Sequence, residues 1–499
     1  MFVGTVNRAR WSAVSLAIAL TGFISAANAG ALGAPYQPGG IPSGGNGAFL
    51  HASTGANGES VLVAGIHVNR YSSSGSAMWP APKSFNGASW VDAGTDRFGN
   101  SVIVVDTSGQ SGLYATVYNR RGAVITPSFR VDQGTAVDFT YPSVSMNSDG
   151  VFIVTWTRQD SPSTGTRRSR VFDRNGNARG PEFVTQSNAG MALLGTSLDA
   201  NGRSTHMSAH ITPDFLYVRT GLTRFESNGN LVAPFTYITS PPIISIDPYL
   251  GNNQSGDQVI AWTNFVGDTS TPGIAFQRYS ANGQLLGGNV VVDNSATQAY
   301  RPKVGVAEDG SFVVIWPART AASNPNAPWG LYGRQYAKDG TALGTAFKID
   351  DMPAGQSLDS SYTVAMGHAG EFTVFWQQYE GSQASLWARN YVLDNQPVVP
   401  TLSSGVAITG LSGAPGTLQY LKFPVPPGAT HFSVTMSGAG DADMLIKQGS
   451  PPTLASFDYS PAIDGSNEGG TINNPPSGMF YIGLYGYSSY SDVSVRVDY

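Results

Sequence analysis

The chain has 499 residues, no cysteine, 60 glycines, 31 prolines and only 12% charged residues, about half the ~25% of an ordinary soluble domain. With 11% aromatics and a formal net charge of −5, this composition excludes a disulfide scaffold, thiolate chemistry, a coiled coil, a disordered chain and a basic nucleic-acid binder. It points to an all-β protein long enough for two or three domains.

Residues 1–29 read as a secretory signal. Arg8 and Arg10 give the positive start, Trp11 to Ala26 the apolar stretch, and Ala27-Asn28-Ala29 the small-x-small cleavage site. The stretch is short for a bilayer span of about 20 residues, and no later run is long and apolar enough to cross. The expectation is a secreted, extracellular bacterial protein, cleaved after Ala29, with no membrane span left. Residues 30–44 are a Gly/Pro-rich lead-in.

From 45 to 395 one pattern recurs seven times. An aromatic residue is followed four positions later by Gly at Tyr71/Gly75, Tyr118/Gly122, Phe172/Gly176, Phe225/Gly229, Tyr279/Gly283 and Tyr336/Gly340. Tyr391/Asn395 keeps the spacing with Asn, the usual substitute where φ is positive. A second marker glycine precedes each pair: Gly58, Gly99, Gly150, Gly202, Gly256, Gly310 and Gly370. Trp156, Trp262, Trp316 and Trp376 each lie six residues after theirs. Runs such as VFIVTW at 151–156 have strand composition. Asp-Gly and Asn-Gly pairs between them predict type I′ hairpin turns. Four short antiparallel strands repeated about every 54 residues predict a seven-bladed β-propeller. Its terminal segments should share a blade, and the short first interval fits a split or eroded first blade. The aromatic stripe has two readings, packing between blades or a carbohydrate platform. The arginines before the aromatics, such as Arg70, Arg224 and Arg278, read as partners between blades.

These units resemble the bacterial repeats of form DG-x-F-V-V-x-W … G-x-x-R-x-Y-x-x-x-G found in large secreted proteins. The resemblance implies a propeller and no fixed activity. The signatures of WD, kelch, integrin-type and sialidase propellers are absent.

Gln396 to about 404 reads as a stiff linker. Residues 405–499 then alternate like strands of a small, jelly-roll-like β-sandwich, in LQYLKFPVP (418–426), HFSVTMSG (431–438) and MFYIGLYGY (479–487). Ser437-Gly438-Ala439-Gly440-Asp441-Ala442-Asp443-Met444-Leu445-Ile446 and the ending Gly478 to Ser488 resemble the bacterial pre-peptidase C-terminal domain, although the cysteine pair usual in that family is missing. The resemblance implies export and adhesion to a polymer or surface, beside peptidases and other hydrolases, and no catalysis of its own. Asp441 and Asp443 share a strand face. With Glu468 they read either as a calcium site, the one cofactor implied, or as carboxylates that accept backbone N–H bonds and pin a turn. Tyr481, Tyr485 and Tyr487 share parity and read as a contact face or as core.

No HExxH, GxSxG or cysteine nucleophile is present. Of six histidines, His206 and His210 stand out, because THMSAH breaks the apolar pattern of its sister repeats and Ser208 replaces the Trp. Four residues along a strand span about 13 Å, too far for one shared metal. The run reads either as drift or as a polar site with Arg203, in which a histidine abstracts a proton as in a polysaccharide lyase. The expected function is therefore non-catalytic: a secreted binding or adhesion protein whose partner is an extracellular polysaccharide or protein polymer. The alternatives are a propeller-fold carbohydrate-active enzyme, or cargo of a secreted peptidase system.

Overall fold

The structure, a computed structural model, describes residues 31–499 apart from 42–48, 56–57, 108–111, 134–138, 162–163, 187–192, 212–217, 239–243, 254, 266–272, 294–297, 320–328, 353–355, 368–369, 382, 394–399, 414, 416–417, 450, 453–456 and 462–463. The predicted signal at 1–29, Asn395 and linker residues 396–399 lie outside the described residues.

Every regular element among the described residues is a β-strand. Phe312–Arg319 reads FVVIWPAR, and such β-branched and aromatic runs suit a pleated surface. Glycine closes the turns. The Gly310 amide donates to the Ala307 carbonyl at 3.0 Å, and the Ala307 amide to the Ser311 carbonyl at 2.8 Å. Gly310 has φ +87°, whereas Asp309 keeps a negative φ. This is a type I turn ending in a left-handed glycine, not the expected type I′ turn, which needs two positive φ values. The same bonds recur at Gly99, Gly150, Gly202 and Gly256.

Seven antiparallel sheets follow one another between Leu50 and Val392 among the described residues, each with its strands in chain order. The first holds Leu50–Thr54, Ser60–Ala64, His67–Tyr71 and Lys83–Ser84. The leading strands of successive sheets touch around a ring: Leu50–Thr54, Ala88–Thr95, Phe139–Met146, Leu193–Leu198, Ile244–Asn252, Lys303–Val306, Gln356–Met366, and then Leu50–Thr54 again. The arrangement is propeller-like.

The seventh sheet has three strands, Gln356–Met366, Glu371–Glu380 and Gln383–Val392. The lead-in fills its outer position. Ala31 bridges Tyr391, and Tyr36 bridges Ala388. The Tyr36 and Ala388 amides and carbonyls exchange bonds of 2.9 and 2.8 Å. Arg389 Nε donates to the Gly33 carbonyl at 2.9 Å. The two ends of the ring therefore share the seventh sheet. The first sheet is whole, so its short interval marks no split.

Packing follows strand parity. Phe312, Val314 and Trp316 join Val259 and Phe276 of the fifth sheet, while Val313 and Ile315 join Phe372 and Trp376 of the seventh. Trp156, Trp262, Trp316 and Trp376 are all fully buried, so none offers a platform to a sugar. Arg70 is buried too, donating to Glu59 at 2.9 Å and across to the Gly99 carbonyl of the second sheet at 2.6 Å. Arg224 and Arg278 donate to the Ala281 and Lys338 carbonyls of the following sheets.

The fourth sheet departs from this pattern without leaving the core. His206 is buried against Phe183 of the third sheet and Phe225 of its own. Its Nε2 lies 2.9 Å from Ser204 Oγ and its Nδ1 3.4 Å from Thr196 Oγ1. Thr205 and Ser197 both accept from Gln258 Nε2 of the fifth sheet, at 2.8 and 3.0 Å. Burial, then the charge of Arg167, holds the His206 pKa down to about 3.

In the C-terminal unit His431–Gln448 and Gly478–Asp498 pair along their length and carry Ile408–Gly413, Leu418–Val425 and Glu468–Asn473 in a single five-stranded sheet. Their pairing slips at Ser437/Ala439 and Gly440/Ala442. These bulges let the long strands bend around one core, which contains Leu421, Phe423, Phe432, Met444, Ile482 and Val495. Gly440 makes the bend possible. Its φ is +87°, and a Cβ there would lie 2.2 Å from the Ser489 carbonyl oxygen.

Three outcomes follow. Gly440→Ala should destabilise the C-terminal unit by about 2 kcal/mol or more, measured by thermal unfolding of the full chain. Deleting residues 30–36 should lower the urea midpoint of the ring by the equivalent of roughly 3 kcal/mol, at about 1 kcal/mol per lost bond. An unfolded histidine takes a proton below about pH 6.5 and folded His206 only near 3, so the unfolded state binds more protons in that window. Stability is fully present above about 6.5 and falls as pH drops towards 3. Melting scans should show a weaker dependence for His206→Gln.

Candidate functional site

The predicted site residues do not assemble into a site. His206 packs between sheets and does not line the central cavity. Arg203 is paired with Glu226 at 3.1 Å. His210 lies in Ser204–Ile211, and its side chain is outside the described residues. The described part of the polar run, Ser204 to Ser208, is therefore buried within the ring, and His206 is not presented to the cavity.

The calcium reading fares similarly. Asp441 Oδ1 accepts the Gly465 amide at 3.0 Å, and Glu468 Oε2 accepts the Met444 amide at 2.7 Å. Glu468 is buried. Burial, then the charge of Asp441, raises the Asp443 pKa. Among the described residues no three His, Asp or Glu side chains stand where they could hold a metal.

The tyrosines separate. Phe480, Ile482 and Leu484 face the core, so Tyr481 and Tyr485 lie on the opposite side of the strand. Tyr481 is nevertheless buried, and burial raises its pKa. Tyr487, beside the slip in register, is 71% exposed. Tyr490 is the tyrosine that enters the core.

A different set converges on the axis. The leading strands of all seven sheets enclose a cavity of about 180 Å³, walled by His51, Val144, Thr196, Tyr249, Val304 and Val364 among others. One register position matters most. Seven residues before each marker glycine stand His51, Asp92, Ser143, Gly195, Tyr249, Lys303 and Thr363.

Neighbours at this level meet across sheet boundaries. His51 Nδ1 faces the Asp92 carboxylate. Asp92 is buried and fixed by the amides of Ala93 and Val144, at 2.9 and 2.8 Å. The approach of His51 Nδ1 to Asp92 is close but is not aligned as a hydrogen bond. A carboxylate beside Nδ1 favours a proton on that nitrogen. Five sheets on from His51, Lys303 Nζ lies 4.3 Å from the centroid of the Tyr249 ring of the fifth sheet, a cation–π distance. Burial, then the Asp92 charge, pushes the Tyr249 pKa up to about 12. Burial holds Lys303 down to about 8, opposed by Asp247 and reinforced by Arg301.

Two residues further from the glycines the pattern repeats. The rings of Phe49 and Trp90 lie 4.6 Å apart. Asp247 and Arg301 pair at 3.6 Å. Both have φ of 48°, a conformation costing a residue other than glycine roughly 1–2 kcal/mol and typical of functional sites. Two residues along from the level of His51 and Tyr249, sheets one and two thus carry aromatic rings and sheets five and six carry charges. Sequence reasoning missed these residues. The available signal was the register itself, because this position and the one two residues before it change chemical class from repeat to repeat.

Comparison with known proteins bears on the C-terminal unit. Residues 418–486 match the family described as bacterial pre-peptidase C-terminal domain. Over 98 residues, 20% of this chain and 18% of the relative, the sequence is 38% identical to alkaline serine exoprotease A of Vibrio alginolyticus. Over 102 residues, 20% of this chain and 40% of the relative, it is 37% identical to a zinc metalloprotease of Helicobacter pylori. The chain thus spans less than half the length of these curated relatives. Among solved structures, that of the polysaccharide lyase Uly1 aligns over 71% of this chain and 91% of its own, with 11% identity and a TM-score of 0.44. Residues 418–486 are a bacterial pre-peptidase C-terminal domain.

Proposed function

We propose that this is a secreted protein that binds an extracellular polymer, glycan or protein at the axial mouth of a seven-bladed β-propeller. The propeller would comprise residues 31–36 and 45–395, and the β-sandwich residues 405–499. A signal cleaved after Ala29 would export the chain, and the C-terminal domain would add adhesion to a surface or polymer. One observation carries this reading. The ring is packed with buried aromatic side chains throughout, yet its seven leading strands leave a cavity lined by His51 and Tyr249, with Lys303 over the Tyr249 ring and exposed Phe49 two residues before His51.

A second reading is a carbohydrate-active enzyme, and the His51–Asp92 pair favours it. An imidazole held by a buried carboxylate, with a tyrosine in the same cavity, is a set able to move a proton.

A panel of immobilised polysaccharides and collagens separates these readings. Wild type should be retained on at least one polymer, and Phe49→Ala with His51→Ala should cut retention about tenfold or more. Retention untouched by these changes but lost on deleting residues 405–499 would move binding to the C-terminal domain. Incubation with uronate polymers, followed by absorbance of unsaturated ends, should give no product on the binding reading. Product that disappears in His51→Ala would establish the enzyme.

A further inference from the structure

The axial mouth also indicates what class of ligand it takes, an inference that rests on the axial binding reading above. The charged groups there fall into two sets. His51 has Asp92, and Arg301 has Asp247. Lys303 makes no ion pair among the described residues and lies against the face of Tyr249 instead. The Asp247 carboxylate acts on this partly desolvated ammonium only at longer range and is already held by Arg301, so an anion that reaches Lys303 directly would be favoured. Its lowered pKa reflects the same desolvation.

The opposite side of the mouth is apolar. Phe49 is 40% exposed and is in ring contact with Trp90. Flat aromatic faces of this kind suit the C–H face of a pyranose ring better than a peptide, whose amides need hydrogen-bond partners on both edges. The cavity holds about 180 Å³, below the roughly 300–1,000 Å³ of a site that engulfs a small molecule. It has room for one residue of a chain, with the remainder lying across the mouth.

We infer that the axial mouth binds a polysaccharide through a carboxylate-bearing sugar, whose anionic group meets Lys303 while a neighbouring ring packs on Phe49 and Trp90. Arg301 stands beside Lys303 as the second cation, already engaged by Asp247.

Isothermal titration calorimetry on the full chain tests this with short oligogalacturonates, their methyl esters, a sulfated oligosaccharide of equal length and oligoglutamate. The acid should bind at least tenfold more tightly than its ester. Lys303→Met, which keeps the side-chain length and removes the charge, should erase that ratio without lowering the melting temperature. Lys303→Arg should retain most of it. Phe49→Ala should weaken acid and ester alike. Equal binding of acid and ester overturns the inference, as does a preference that survives Lys303→Met. Oligoglutamate binding as tightly as the sugar acid would overturn the sugar assignment, and tighter binding of the sulfated sugar would overturn the carboxylate. Failure to bind any of these ligands, with axial-dependent retention on another polymer, overturns this inference alone. Loss of both overturns the axial reading as well.

Discussion

The central strands of the ring have no face for water. In Phe312–Arg319 odd and even residues enter different clusters, one shared with the fifth sheet and the other with the seventh. A strand buried on both faces reads as a continuous apolar run rather than an alternation, which is why FVVIW resembles no amphipathic pattern. Such a sheet is unstable until both neighbours are in place, and so is each neighbour in turn. The demand is met only when the last sheet finds the first. The axial cavity is a by-product of that closure, since seven leading strands meeting edge to edge leave a central gap.

This constraint explains what the sequence made legible. Turn glycines and buried aromatics recur because each repeat solves the same packing problem, so seven copies reinforce one another. The closing strand at 31–36 repeats nothing and carries no pattern of its own. It looked like a lead-in, although its backbone completes the seventh sheet. In the C-terminal unit, parity assigned Tyr481, Tyr485 and Tyr487 to one face. The slips in register near Gly440 break that count and bring Tyr490 inside instead.

The site was illegible for the opposite reason. Attention fell on THMSAH because it departs from its sisters along a whole strand. That strand is the second of its sheet, and its departure is absorbed by Ser197, Thr205 and Gln258. The informative departures are single residues at one register level, and each looks ordinary alone. His51 follows a leucine and Lys303 follows a proline. Only the ring brings His51 and Tyr249, with Lys303 over its ring, around one cavity.

The closing strand has a consequence for how the molecule assembles. Tyr36 and Asn390 meet across 354 positions of chain, a loop whose closure costs roughly 5 kcal/mol in entropy. Until it closes, Gln383–Val392 is an open edge at the rim of an otherwise finished ring. An open edge accepts any matching strand, and residues 31–36 of a second molecule match as well as its own. Protein concentration during refolding then decides between solitary rings and molecules linked by exchanged strands.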